Sequence, residues 1–145
     1  MKRIKAEWNS SGQGMVEFAI VFPLLLLLLF GIFEFGRIMF AYSAAVSSSR
    51  EAARYGAAIF DTGGGIPRYE DCNGIREAAK KIGRYAGITD ADITIQYSNE
   101  SGIYSSACPP IQEVSAADVI SVSISTSITP TTPIGNFSAI PIHSS

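Results

Sequence analysis

Leu24 to Leu29 is six leucines in a row, inside an uncharged apolar stretch that runs from Phe18 to Phe33. A helix built from such a run is apolar on every face and needs apolar surroundings all round. No other segment of this 145-residue chain is apolar enough to surround it as a soluble core. A lipid bilayer supplies those surroundings. The 16 uncharged residues fall short of the ~20 of a usual span. The span can be extended, because Glu34 and Arg37 lie three apart and can neutralise each other on a helix. Beyond them Ile38 to Ser49 is again uncharged. The expected membrane helix therefore covers about Met15 to Tyr42, with Glu34 and Arg37 near the outer headgroups.

A short basic leader precedes the run. Residues 1–12 carry Lys2, Arg3 and Lys5 against Glu7, a net +2, while the remaining eight basic and twelve acidic residues give −4. The positive-inside rule then places the N-terminus in the cytoplasm and everything after about Ser43 outside. The overall net charge of −2 gives no reason to expect a nucleic-acid partner. An ordinary secretory signal has its small-residue cut site after the apolar segment. Here Gly12 lies before it, followed by Gln13 and, at the edge of the run, by Glu17 and Phe18. A cut after Gly12 removes the leader and keeps the helix. This arrangement resembles a class III signal peptide, the substrate of prepilin peptidases. The chain divides accordingly into a leader (1–12), a transmembrane helix (13–42) and an extracytoplasmic head (43–145) with a Thr/Pro/Ser-rich tail.

Both cysteines, Cys72 and Cys108, fall in the outer part, and neither has metal-ligand spacing. The one histidine, His143, lies far along the chain, so neither a zinc site nor another cofactor is expected. In an oxidising compartment a Cys72–Cys108 disulfide is the better reading, with two free thiols as the alternative. Closing a loop of this length is worth about 4 kcal/mol by the chain-entropy argument.

Helical character continues past the membrane to about Ile59, for a helix from about Gly14 that is roughly 70 Å long. Pro23 inside it lacks the N–H for the Ala19 carbonyl, and a bend or loosening is expected there. Two rows of small residues run at spacing four: Ala41, Ala45, Ser49, Ala53, Ala57, and Ala44, Ser48, Ala52, Gly56. Such strips let a second element approach closely, although alanine alone is also a good helix former.

Asp61-Thr62-Gly63 matches the aspartic-protease triplet, but it follows a helix and leads into glycines rather than lying between buried strands. A second helix is predicted over about Asn73 to Ala86. Ile75, Ala78, Ala79, Ile82 and Ala86 form its apolar face, and Gly87 is its stop. Arg76, Lys80 and Arg84 line another face, read as a solvated surface rather than a docking stripe. Ile93, Ile95 and Tyr97 alternate with polar residues, as do Ile120, Val122, Ile124 and Ile128; both read as half-buried strands. A long connection with Cys108-Pro109-Pro110 joins them. Thr129 to Ser145 is expected to run irregularly over the surface. The fold class is α+β: a long N-terminal helix, membrane-spanning in its first half, with a small pilin-like head. That head holds a second helix and an antiparallel β-hairpin or sheet.

Gly12-Gln13-Gly14-Met15-Val16-Glu17-Phe18-Ala19, Pro23-Leu24, Glu34-Phe35-Gly36-Arg37 and Arg50-Glu51-Ala52-Ala53-Arg54-Tyr55-Gly56 together resemble the TadE-like family. These are pseudopilins or minor pilins of the tight adherence (Flp, type IVb) pilus systems of bacteria. The resemblance implies processing by prepilin peptidase, insertion in the inner membrane, and a structural rather than enzymatic role in pilus assembly, capping or adhesion. By the family pattern Gly12 precedes the cut, Gln13 is the new N-terminus, and Glu17 is the glutamate five places into the mature chain. Implied partners are prepilin peptidase, other pilin or pseudopilin subunits, the assembly platform and the membrane. No small-molecule substrate is implied.

A carboxylate at the edge of an apolar run is costly unless paired. The natural partner of Glu17 in an assembly is an N-terminal amine, although a headgroup-level position needs none. Two other classes of function compete. One is a single-pass anchored binding protein that never enters a filament. The other is a membrane-tethered hydrolase, weakened by the lack of a G-x-S-x-G elbow.

Overall fold

The computed structural model describes residues 11–129 and 138–144. Most of the predicted leader, including its basic residues, lies outside the described residues. The chain divides into two units, one ending at Gly36 and one covering Arg37–Ser145.

Helix α1 (Ser11–Gly56) is 46 residues long and carries Pro23 inside it. Among the described residues it is the one helix long and apolar enough to cross a membrane. Every side chain from Gln13 to Phe33 is exposed, from Met15 through the leucine run to Phe33 itself. In water this would be a large apolar liability; in lipid it is the expected state. Phe18 and Phe22, one turn apart, stack with ring centroids 5.3 Å apart. The helix ends three residues before the predicted Ile59. Its last turn tightens, with Ala57 N donating to Ala53 O at 2.9 Å and Ala58 N to Tyr55 O at 3.3 Å.

The second unit, Arg37–Ser145, takes in the expected head (43–145) and the residues of α1 from Arg37 onward. Helix α2 (Cys72–Gly83) follows the loop after α1, and a four-stranded sheet follows α2. The strands are β1 (Ile93–Asn99), β2 (Gly102–Ser105), β3 (Val119–Ile128) and β4 (Ile140–Ser144), in the order β2-β1-β3-β4. All neighbours are antiparallel. The register pairs Ile93 with Ile124, Ile95 with Val122 and Tyr97 with Ile120, which puts the predicted apolar faces of β1 and β3 side by side. These residues form one core with Ala41, Ala45 and Ala52 of α1 and Ile75 and Ala79 of α2. This is the α+β arrangement read from the sequence.

Three details differ from that reading. The first is in the tail, where Ile140–Ser144 forms β4 on the sheet edge instead of running irregularly. Ile142 is buried against the core, and Pro141 is tolerated because an edge strand has one unpaired side. Proline and serine in this segment hid the strand signal. The second lies in the long connection, whose first part is β2, closed by a two-residue turn at Glu100-Ser101. Gly102 there has φ +117°, a region other residues rarely adopt. The third concerns α2, which ends at Gly83 and passes into a 3-10 turn over Arg84–Ala86. Gly87 still closes it, with φ +75° and its N–H donating to Arg84 O.

Candidate assembly helix and disulfide-braced head

Gly12, Gln13, Glu17 and Phe18 all lie on the first two turns of α1, and all are exposed. The residues expected from the sequence to act in processing and assembly therefore share one apolar helix. Glu17 is the one carboxylate in its first half.

The small-residue rows occupy the other half of the same helix. Ala41 is 4 % exposed, Ala45 and Ala52 are 0 %, and Ser48 and Ser49 are 0 % and 2 %. Ala53 is half-buried and Ala57 is exposed. The close approach is to the head of this same chain. A Cβ on Gly56 would meet Ile120 Cδ1 at 2.6 Å and Ile75 Cδ1 at 3.2 Å; a Cβ on Gly83 would meet Ser48 Oγ at 2.9 Å. Glycine at 56 thus lets α1, α2 and β3 converge, and small residues at 45, 48 and 49 let the helix lie flat on the core. Ser49 Oγ donates to Val46 O at 3.0 Å, which satisfies a hydroxyl that would otherwise be buried unpaired.

Cys72, the first residue of α2, is bonded to Cys108, with Cα atoms 5.7 Å apart and a sequence separation of 36. The bridge ties α2 to the loop after β2. Tyr97 of β1 lies beneath it. Its hydroxyl donates to Tyr69 O at 2.5 Å and sits 3.2 Å from Cys108 Sγ. Burial, reinforced by Tyr104 and Glu70, pushes the Tyr97 phenol up to about 12.

Asp71 caps α2 by accepting from Gly74 N at 2.9 Å, and it also accepts from Tyr55 OH at 2.7 Å. Arg68 stacks over the Tyr55 ring at 4.9 Å. The predicted solvated stripe on α2 is engaged within the head. Arg76 donates to Asp90 O at 2.7 Å, Lys80 pairs with the Asp90 carboxylate at 3.0 Å, and Arg84 lies over Tyr85. Asp61 of the protease-like triplet accepts from Gly63 N at 3.0 Å in an exposed loop, an ordinary turn.

Two concave surfaces escaped the sequence reading. An open apolar groove of about 510 Å³ lies between the end of α1 and the loop before β3, lined by Ala57, Ile59, Tyr69, Tyr97, Val114 and Ile120. A polar cleft of about 530 Å³ lies between α1 and the β3–β4 edge. Both depend on long-range register, and β4 was not predicted.

A membrane-anchored α+β protein with a disulfide-braced head is thus defined. The family model described as TadE-like protein matches residues 12–54, so the helical segment is similar to that family. The match begins at Gly12 and ends two residues before the end of α1. No curated protein and no solved structure matches the chain.

Proposed function

We propose that this chain is a minor pilin or pseudopilin of a tight adherence pilus, cut by prepilin peptidase between Gly12 and Gln13. The observation that carries the reading is the TadE-like match, which starts at the glycine ahead of a retained apolar helix. After the cut, α1 anchors the subunit in the inner membrane with its N-terminus toward the cytoplasm and its head outside. Its lipid-exposed first half is the surface through which the subunit enters a helical bundle with other pilins on the assembly platform. Glu17 pairs there with an N-terminal amine, because burying either charge alone is costly. The head is a disulfide-braced block, with the small-residue strip of α1 already used for packing within it.

Intact-mass and N-terminal analysis of the protein extracted from its native membrane tests this. The expected mature chain begins at Gln13. A chain that keeps residues 1–12, or that begins after Phe33, overturns the reading.

A further inference from the structure

The polar cleft at the β4 edge has a chemistry that the pilus reading does not use. Three elements line it: Tyr42, Val46 and Arg50 from α1, Ser123 and Ser125 from β3, and His143 and Ser144 from β4. No carboxylate is among them. This is unusual for the head, where residues 37–145 carry eight basic and ten acidic side chains. Arg50 is exposed, and the acid next to it in sequence is engaged elsewhere. Glu51 is held by Arg54 at 2.8 Å, so its charge is directed to the following turn.

Ser125 and His143 are directly opposite in the β3–β4 pairing, and Ser125 Oγ lies 2.9 Å from His143 Nδ1. That bond fixes the ring plane. When Ser125 donates to Nδ1, Nε2 carries the hydrogen and is a donor. When Nδ1 donates to Ser125, the serine hydrogen is released as the donor. Either tautomer leaves one donor for a bound acceptor. Tyr42 and Ser123 add hydroxyls, and Arg50 adds a guanidinium fork suited to oxyanions. The Arg50 fork gives two hydrogens and Tyr42, Ser123 and the Ser125–His143 pair one each, more than the about four lone-pair sites on the two oxygens of a carboxylate. They match a tetrahedral oxyanion with three free oxygens.

We propose that the cleft lined by Tyr42, Arg50, Ser123, Ser125 and His143 binds a phosphate group. The group can be a free phosphate monoester or a lipid headgroup. Tyr42 is five residues past Arg37 on the same helix, and the sequence reading puts Arg37 at the outer headgroups.

His143 is the chain's one histidine, so its ring resonances report on the cleft without assignment ambiguity. The test uses full-length protein in detergent micelles at fixed pH and ionic strength, titrated with inorganic phosphate. The expected result is a saturable shift of the His143 ring signals, weakened about tenfold in Arg50→Gln, the usual scale for losing a charge-assisted contact. Ser123→Ala should weaken binding by a smaller factor. Arg50 is exposed, so Arg50→Gln should keep the wild-type circular dichroism. Competition with a short-chain phosphatidic acid below its micellar concentration identifies the source. Displacement of phosphate at a concentration at least tenfold lower assigns the site to lipid, and equal or weaker displacement assigns it to a soluble phosphate. A shift that does not saturate, or one identical in Arg50→Gln, overturns the proposal. Processing at Gly12 is not involved, so the outcome is independent of the pilus reading.

Discussion

The hydroxyl of Tyr55, on the last turns of α1, donates a 2.7 Å hydrogen bond to Asp71, the residue that caps α2. One carboxylate thus ends one helix and fastens it to the other, since its second oxygen accepts from Gly74 N. The contact is tight: a Cβ on Gly74 would collide with Asp71 Oδ2 and with the Tyr55 hydroxyl. Losing the Tyr55 hydroxyl should cost about 1 kcal/mol, and losing the cap as well about 2 kcal/mol. Urea unfolding of the full chain in detergent should therefore rank wild type above Tyr55→Phe and Tyr55→Phe above Asp71→Ala. Equal midpoints for Asp71→Ala and wild type would remove the joint.

The small-residue rows give a graded prediction. Ala45 and Ser49 lie against the core, whereas Ala57, two strip positions past Ser49, is exposed. Leucine at 45 or 49 should lower head stability by about 1–3 kcal/mol or block folding, because a packed interface has no room for it. Ala57→Leu should be tolerated. Thermal melts of the three variants, followed by near-ultraviolet circular dichroism, check the order. Tolerance of all three would reduce the strips to alanine-rich helix.

The disulfide joins the start of α2 to the loop after β2, two parts of the head with no strand pairing between them. Reduction, or the double variant Cys72→Ser/Cys108→Ser, should lower stability by up to about 4 kcal/mol. Non-reducing peptide mapping of protein isolated without reductant should recover one Cys72–Cys108 linked pair. Two alkylatable thiols would contradict both the pairing and an oxidising location for the head.

Tyr97 sets an alkaline limit. Its phenol is pushed up to about 12, first by burial and then by Tyr104 and Glu70, against an unfolded value of about 10. Between these values the unfolded chain gives up the proton and the native chain keeps it. The contribution is therefore fully present below pH ~10 and is lost as pH rises through ~12, a total of about 2–3 kcal/mol. Tyr55 and Tyr104 are also raised, mainly by the hydrogen bond to Asp71 and by burial respectively, and act in the same direction. Urea midpoints should be flat from pH 7 to 9.5 and fall steeply above it. Tyr97→Phe should be less stable at neutral pH, through loss of its bond to Tyr69 O, yet show a shallower alkaline decline. An unchanged slope in Tyr97→Phe would assign the decline to other groups.

Much of this fold was legible because periodicity survives translation into burial. Ile93, Ile95 and Tyr97 are all buried, as are Val122 and Ile124, and the register sets them side by side on one face of the sheet. The leucine run reads as a membrane helix because it is apolar on every face, and none of the described residues covers it. The missed strands share a cause. β2 is four residues long with Ile103 exposed, and β4 interrupts its alternation with Pro141, so neither shows a period. Their existence comes from pairing with a strong neighbour, a non-local effect that a local pattern does not contain. The Tyr55–Asp71 joint and the Arg50–His143 cleft have the same origin. Residues 50 and 143 line one cleft only once β4 has docked on β3.

Glu17 gives the test nearest to the proposed function. It sits on the second turn of an exposed apolar helix, ahead of the leucine run, and every neighbour from Phe18 to Phe33 is uncharged. Insertion depends on that apolar stretch and on the basic residues before it, and Glu17→Gln changes neither. On the proposed pilin reading, assembly moves the helix from lipid into a protein bundle, where an unpaired N-terminal amine is costly. Glu17 is the acid close enough in sequence to compensate it. Glutamine keeps the shape and the hydrogen bonding and removes the charge, so the variant isolates the electrostatic part. Prepilin peptidase can itself read this glutamate, which makes the mature N-terminus a necessary control in the same strain. Correctly processed Glu17→Gln should reach the membrane at the wild-type level and give at least tenfold fewer pili, the consequence of about 1.4 kcal/mol or more lost per incorporated subunit. Wild-type piliation by a correctly processed variant would leave Glu17 as a headgroup-level residue with no part in assembly.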